Sequence, residues 1–190
     1  MTLTASQLAA RDGRLTASRV ACLMTGDAEK ILNLWRDMVG DPTFVPDDLS
    51  GVWPVQLGVA TEHLNLSWYA RKTGRALTRC GAVVIHPKAD WAAATLDAWD
   101  DALPGPVEAK HVGGREPLAT VVARYQPQIH WQMIVSEARQ AAFTIIEGSN
   151  EPVIENVPFD ERYAAELWSR GEAFMACVRT LTPPVASAAV

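Results

Sequence analysis

The stretch "TLDAWDDALPGPVEAKHV", residues 95–112, decides the fold of this chain. Pro104 and Gly105 mark a turn, and the apolar residues on either side read as two antiparallel strands. With the turn centred between Ala102 and Leu103, Asp97 falls opposite Glu108. Directly opposed residues share a sheet face with Cβ atoms about 5 Å apart. Lys110, two positions further on, shares that face. Two like charges in register are destabilising, and the neighbours Ala93, Ala94, Leu96 and Val107 read as buried strand. A divalent cation between the acids reverses the sign of that interaction, and carboxylate oxygens are the ligands that Mg²⁺ and Mn²⁺ prefer. A lysine beside them can hold or deprotonate a water and offset charge building on a phosphate. Such a set suits phosphodiester chemistry. The rival reading is a surface hairpin whose Glu108 and Lys110 are merely solvated.

The rest of the chain bounds that reading. It has 190 residues, 48% of them hydrophobic, which suffices for one domain with a sizeable core, placed at residues 1–180. The net charge of −5 argues against a chain-wide basic footprint for nucleic acid but leaves room for a local basic groove. The three cysteines (Cys22, Cys80, Cys177) are widely spaced, so buried thiols are expected rather than disulfides or a zinc site. The four histidines show no HxxxH or HExxH spacing. No apolar run is long enough to span a bilayer and no signal peptide is seen, so a cytoplasmic protein without membrane contact is expected.

Periodicity divides the chain. Residues 16–26 predict a short helix, with Thr16 as N-cap. Residues 27–40 predict a second helix from Asp27 to Gly40, and residues 54–74 a long third one with Pro54 in its first turn. "ALTRCGAVVIH", "WAAATLDAW" and "GPVEAKHV" read as strands. "YQPQIHWQMIVSEA" returns to helical spacing, with Pro127 fitting only in a first turn or at a kink. "AAFTIIEG" and "PVIENVPF" read as strands, and residues 160–181 as a closing helix capped by Asp160. The tail, residues 181–190, is expected to be disordered. The order implies an α/β (α+β) fold with a mixed central sheet flanked by helices.

With those elements placed, D-x(10)-E-x-K resembles the core of the PD-(D/E)xK nuclease superfamily, a restriction-endonuclease-like fold. More specifically, the chain resembles the phage lambda exonuclease and YqaJ-like viral recombinase family. "RDGRLTAS" (11–18) is similar to that family's N-terminal arginine and ITAS-like turn. "LGVATEHLNLSWYARKTG" (57–74) is similar to its G-x-x-x-E helix, "ATLDAW" to its ATPDG-like strand, and "YQPQIHWQM" (125–133) to its Y-x-x-Q-x-Q-x-x-M helix. The resemblance spans residues 8–178. It implies that Asp97, Glu108, the Ala109 carbonyl and Glu62 hold Mg²⁺, with Mn²⁺ as substitute. It implies that Lys110 positions or activates the attacking water, with Gln128 nearby, and that Arg11 and Ser18 hold a DNA 5′ phosphate. The implied activity is a 5′-to-3′ deoxyribonuclease of phage recombination acting on double-stranded DNA ends, with a single-strand annealing protein and a homo-oligomer as possible partners. Ala98, Leu96 and His130 depart from the family's usual glycine, proline and second glutamine.

Two other activities stay open: an endonuclease or branched- or single-strand nuclease on the same core, and a non-catalytic DNA-end or partner-binding module. Arg11 could instead pair with Asp12 in solvent, Ser18 could only cap a helix, and Glu62 and Gln128 could be ordinary polar positions. Of the seven tryptophans, Trp35, Trp68, Trp131 and Trp168 fall at helical core positions. Trp53 and Trp99 are candidates for stacking on a base or wedging a duplex end. Arg71, Lys72, Arg75 and Arg79 are candidate phosphate contacts or a solvated helix end.

Overall fold

The structure, a computed structural model, describes residues 4–184. Four helices come first: α1 (Ala5–Arg11), α2 (Ala17–Leu23), α3 (Ala28–Val39) and α4 (Trp53–Thr73). Five strands follow: β1 (Leu77–Thr78), β2 (Val83–His86), β3 (Ala89–Thr95), β4 (Ala98–Asp100) and β5 (Gly105–Val112). Then come α5 (Leu118–Ser136), β6 (Gln140–Glu147), β7 (Val153–Pro158) and α6 (Glu161–Arg179). The main sheet has the order β1-β4-β5-β6-β7. Only the β5–β6 pair is parallel, so the sheet is mixed, as expected.

Both faces of that sheet are covered, which is why β6 reads as a continuous apolar run. On one face, Leu66 and Tyr69 of α4 pack on Ala98, Val107, Ala109 and Ala142. On the other, Ile129, Trp131 and Met133 of α5 join Phe143, Ile145, Leu167 and Phe174. Alternation along β5 therefore puts Val107 and Ala109 toward α4, and Glu108 and Lys110 toward α5.

The hairpin has the register read from the sequence: Ala98 pairs with Val107, Trp99 with Pro106 and Asp100 with Gly105. Asp100 holds the turn, accepting from the N–H groups of Ala102 (2.9 Å) and Leu103 (3.1 Å). Gly105 is required by close approach rather than by its φ angle, because a Cβ there would lie 2.1 Å from the Gln140 carbonyl oxygen on β6.

The local signals at helix ends acted as chemistry dictates. Asp27 accepts from the N–H groups of Glu29 and Lys30, Asp160 accepts from Tyr163, and Gly40 and Gly74 close their helices in the left-handed region. Thr16 occupies the N-cap position of α2 without a capping hydrogen bond from its side chain.

Four differences from the sequence reading matter. Helix α1 was not foreseen, although Thr4 and Gln7 form a capping box at its start. Helix α5 begins seven residues before Tyr125, so Pro127 is interior and Ala123 lacks its usual helical donor. The strands read as "ALTRCGAVVIH" and "WAAATLDAW" are each broken: β2 and β3 pair as a separate two-stranded sheet, while β1 and β4 join the main one. The breaks lie side by side, joined by Leu96 N–H to Ala82 O at 2.9 Å and Gly81 N–H to Asp97 O at 3.4 Å. Asp97 thus sits at the seam where two ribbons part. Finally, none of the three free cysteines is fully buried, and Cys80 is exposed at the broken β1–β2 segment, where a core strand was expected. At the C-terminus Leu181 and Thr182 donate back to Val178 and Cys177, and the expected disordered tail otherwise lies at residues 185–190, outside the described residues. No helix among the described residues is long and apolar enough to cross a membrane.

Candidate active site

Helix α4 is fixed by polar contacts at helical spacing. The buried Asn65 donates its amide to the carbonyls of Lys110 (3.2 Å) and Thr144 (3.0 Å) and accepts from the Thr144 hydroxyl at 2.7 Å. One turn later Tyr69 donates to Asp100 at 2.8 Å. Residues three and four apart share a helix face, so Glu62 projects on the same side, one turn before Asn65. It lines a cavity of about 250 Å³ together with Arg11, Ser18, Asp97 and Gln128. Five residues singled out from four separate stretches of sequence therefore meet around one space.

Glu108 is fully buried. Its Oε1 accepts from the Lys110 ammonium and from Gln128, and its Oε2 accepts from Gln132 at 2.5 Å. Lys110 Nζ also lies 5.5 Å from the Tyr125 ring centroid. Asp97, one step beyond the last paired residue of β4, accepts from the Ala109 N–H at 2.9 Å. The hairpin places Asp97, Glu108 and Lys110 together as its spacing predicts.

The electrostatics follow from that packing. Burial, and then the charge of Glu108, push the Asp97 carboxyl up to about 7 against the opposing pull of Lys110 and the Ala109 N–H, and Glu62 adds a smaller upward push. Burial alone would lower the Lys110 ammonium, but Glu108 and Asp97 outweigh it and hold its pKa above the ordinary lysine value. Lys110 is therefore a persistent cation and hydrogen-bond donor in this arrangement.

An acid whose pKa rises on folding holds its proton more tightly in the folded chain. The stability that proton contributes is complete below the unfolded value of 3.8 and is lost as pH climbs to about 7. Asp97→Asn keeps an acceptor for the Ala109 N–H and removes the titration. Without divalent cations, calorimetry is expected to show the variant melting above wild type at pH 8.5 by about 2–4 °C for each kcal/mol relieved, with the gap narrowing at pH 5 and closing only below the unfolded value of 3.8. Equal melting at both pH values would mean that the Asp97 carboxylate carries no such strain.

At the N-terminal end, Arg11 closes α1 and donates to the Thr95 hydroxyl at 3.3 Å. Burial, with Arg19 second, lowers its pKa. Among the described residues it forms no ion pair with Asp12. Ser18 lies near Thr16, their hydroxyls 3.3 Å apart. The segment between them is clamped: Leu15 N–H donates to Trp91 O (2.7 Å), Ala93 N–H to Leu15 O (3.1 Å), and the Trp131 indole N–H to Leu15 O (3.3 Å) and Ala93 O (3.0 Å).

Other candidates fall elsewhere. Trp99 is buried under the Arg79 guanidinium at 4.7 Å, so it is part of the core rather than a surface for bases. Trp53 is 69% exposed and opens α4 instead of lying in the preceding loop. Arg75 pairs with Asp100 at 3.2 Å and Lys72 approaches Glu151 at 3.9 Å, so with Arg79 three of the four basic residues have protein partners in place of phosphates. Sequence reasoning missed Asn65 and Gln132. Gln132 had a signal: it lies four residues after Gln128 and so on the same helix face.

Among the described residues no three His, Cys, Asp or Glu side chains form a joint cluster. A hard cation here would have the Asp97 and Glu108 carboxylates, with carbonyl or water oxygens making up the rest. Mg²⁺ commonly keeps several waters and takes only one or two carboxylates, so the donor set fits it. The raised Asp97 is the observation behind that fit, since a buried like-charged pair gains most from a cation.

Comparison with known proteins agrees with the architecture. The model of the YqaJ-like viral recombinase domain matches residues 7–139. No curated protein matches the chain. Among solved structures, an alkaline exonuclease (LHK-Exo) from Laribacter hongkongensis superposes with a TM-score of 0.76 at 22% identity, over 94% of each chain. LHK-Exo in complex with dAMP gives 0.74 at 22% identity, again over 94% of each chain. A phage related exonuclease from Haemophilus somnus 129PT gives 0.69 at 11% identity, over 88% of this chain and 94% of that one. At these identities the likeness to the solved structures is one of fold.

Proposed function

The chain belongs to the YqaJ-like viral recombinase domain family, and from that premise we propose that it is a DNA exonuclease of phage recombination that hydrolyses one strand of duplex DNA from the 5′ end. One observation carries the reading: Asp97 lines a cavity with Arg11, Ser18, Glu62 and Gln128, and Gln128 bonds the Glu108 carboxylate that pairs with Lys110. The exonuclease neighbours of like fold support it.

Mg²⁺, held by Asp97, Glu108 and the Ala109 carbonyl with Glu62 nearby, would supply Lewis-acid stabilisation of the phosphoryl oxygens and a more acidic water. The protein's own groups do the remaining work. In the metal-free site Glu108 and Asp97 hold Lys110 protonated; as a donor it would orient a water through an N–H and offset negative charge growing on the phosphate. Gln128 shares Glu108 Oε1 with Lys110, which limits how far the ammonium can swing. The Arg11 guanidinium can grip a terminal phosphate through two N–H groups, with the Ser18 hydroxyl beside it.

The decisive assay is digestion of end-labelled linear duplex with Mg²⁺ and with chelator. Release of label only with Mg²⁺, and only from unblocked ends, is the expected result. Cleavage of a duplex with both ends blocked would favour an endonuclease instead. For direction, a 5′-phosphorylated duplex is expected to be degraded faster than a 5′-hydroxyl duplex, with Arg11→Ala erasing the difference. Equal wild-type rates on both substrates would remove 5′-end recognition and leave a metal nuclease. A single-strand annealing protein, self-association and a cytoplasmic setting are proposed on the same family basis.

A further inference from the structure

Gln132 is buried with no exposed surface, and its amide is used unevenly. Nε2 donates to two acceptors at once, Glu108 Oε2 at 2.5 Å and the Thr95 carbonyl at 3.3 Å. Oε1 is buried without a hydrogen-bond partner. A flipped amide would aim Oε1 at a carboxylate and a carbonyl, so the orientation with an orphaned oxygen is the one chemistry requires. An unsatisfied buried amide oxygen destabilises the fold, and a methionine of similar shape would avoid it. The position therefore keeps a stability cost that packing alone does not explain.

The two acceptors identify what the amide joins. Thr95 is the last residue of β3, two residues before Asp97 at the seam between the sheets. Glu108 lies in β5 of the main sheet. The ladder to β5 begins only at Ala98, which pairs with Val107, so Thr95 at the end of β3 has no backbone pairing with β5 of its own. Gln132 spans them from above, on helix α5. Gln128, one turn earlier, touches the other oxygen of Glu108 and lines the cavity. The two glutamines thus have different tasks: Gln128, which lines the cavity, bonds Oε1 beside Lys110, and Gln132 bonds Oε2 and the Thr95 carbonyl.

We propose that Gln132 is a positioning residue that fixes the Glu108 carboxylate relative to Asp97, by bonding Glu108 Oε2 to the Thr95 carbonyl two residues before Asp97 and so leaving Oε1 to Lys110 and Gln128. The proposal rests on the nuclease reading above and adds to it the residue that makes the two acids a matched pair. It separates Gln132 from the rest of the α5 core, whose residues act by packing.

The test uses Gln132→Met, which keeps volume and removes the donor, and Gln132→Glu, which keeps shape and replaces the donor with an acceptor. Thermal melting first establishes that each variant is folded at the assay temperature. Mn²⁺ affinity is then measured by titration calorimetry in the absence of DNA, and kcat and KM on a short blunt duplex. Loss of a partner that orients a metal ligand typically costs about 10–100-fold in affinity or activity. Both variants are expected to bind Mn²⁺ at least about tenfold more weakly and to lose kcat to a similar degree, with KM for DNA changed less than about twofold. A folded variant with wild-type Mn²⁺ affinity and kcat overturns the proposal and leaves Gln132 as core. Failure of both variants to fold assigns the residue to stability and overturns it too. If the wild-type protein itself neither binds Mn²⁺ nor cleaves DNA, the nuclease reading falls and the proposal falls with it, so the wild-type measurement tells the two failures apart.

Discussion

Asp97→Ala is expected to cleave linear duplex about 10³-fold more slowly than wild type, and to melt no lower. Lewis-acid stabilisation of a phosphoryl group is worth several kcal/mol, and each 1.4 kcal/mol or so is tenfold in rate. The fold should tolerate the change because the lost carboxyl is one that burial and Glu108 already penalise. Among the described residues its only hydrogen bond through the side chain comes from the Ala109 N–H, on a β5 otherwise secured to β6 by six paired positions. Glu108→Ala should be equally inactive but is a poorer test. It strands the Lys110 ammonium and the Gln128 and Gln132 amides, and removing one partner of a buried ion pair typically costs about 3–5 kcal/mol. Activity loss in that variant would be mixed with unfolding. An Asp97→Ala protein that is folded and cleaves at the wild-type rate in Mg²⁺ would refute the hairpin site.

Lys110→Ala is expected to lower the cleavage rate by about 10²-fold or more. In the metal-free site Glu108 and Asp97 hold Lys110 protonated, and on that reading the variant would lose a donor and a charge rather than a base. Two consequences separate these roles. The wild-type pH–rate profile should show no limb that disappears in Lys110→Ala. Lys110→Arg should remain well below wild type, because a planar guanidinium cannot share Glu108 Oε1 with Gln128 as a compact ammonium does. Full activity in Lys110→Arg would reduce the residue to a generic positive charge, and a missing pH limb in Lys110→Ala would restore it as the base.

The hairpin was legible because its information is local. A turn centre and a period of two suffice to oppose Asp97 and Glu108, and the observed register keeps that arithmetic. The helix caps at Asp27, Asp160, Gly40 and Gly74 were legible for the same reason. The broken strands were not. "WAAATLDAW" has no glycine or proline at Leu96, so nothing local announces there that the chain leaves one sheet for another; the facing break at Arg79–Ala82 did have a local signal in Gly81, which lies at φ 69 in a turn closed by Ala82 N–H to Arg79 O, but that segment was read as continuous strand. Trp99 misled in a similar way, since proximity to a turn suggested exposure, whereas Arg79 covers it from the turn after β1, twenty residues away. Glu62, Gln128, Arg11 and Ser18 were named through family resemblance, and no spacing rule could have brought them to one cavity. Gln132 was within reach of helical periodicity, but its burial against a carboxylate was not.

The clamp on Leu15 has a mechanical meaning. Leu15, in the link between Arg11 at the end of α1 and Ser18 in α2, is pinned to β3 through its N–H and its carbonyl and to α5 through Trp131, and α5 is the same rod that carries the two glutamines on Glu108. Force applied to a phosphate held at Arg11 would be transmitted to the element that aligns the acids, with no hinge between. If Arg11 grips a phosphate as proposed, grip and cutting edge would share one frame like the jaws of a caliper, and the length of each fragment would follow the gap between them, not how long the substrate stays.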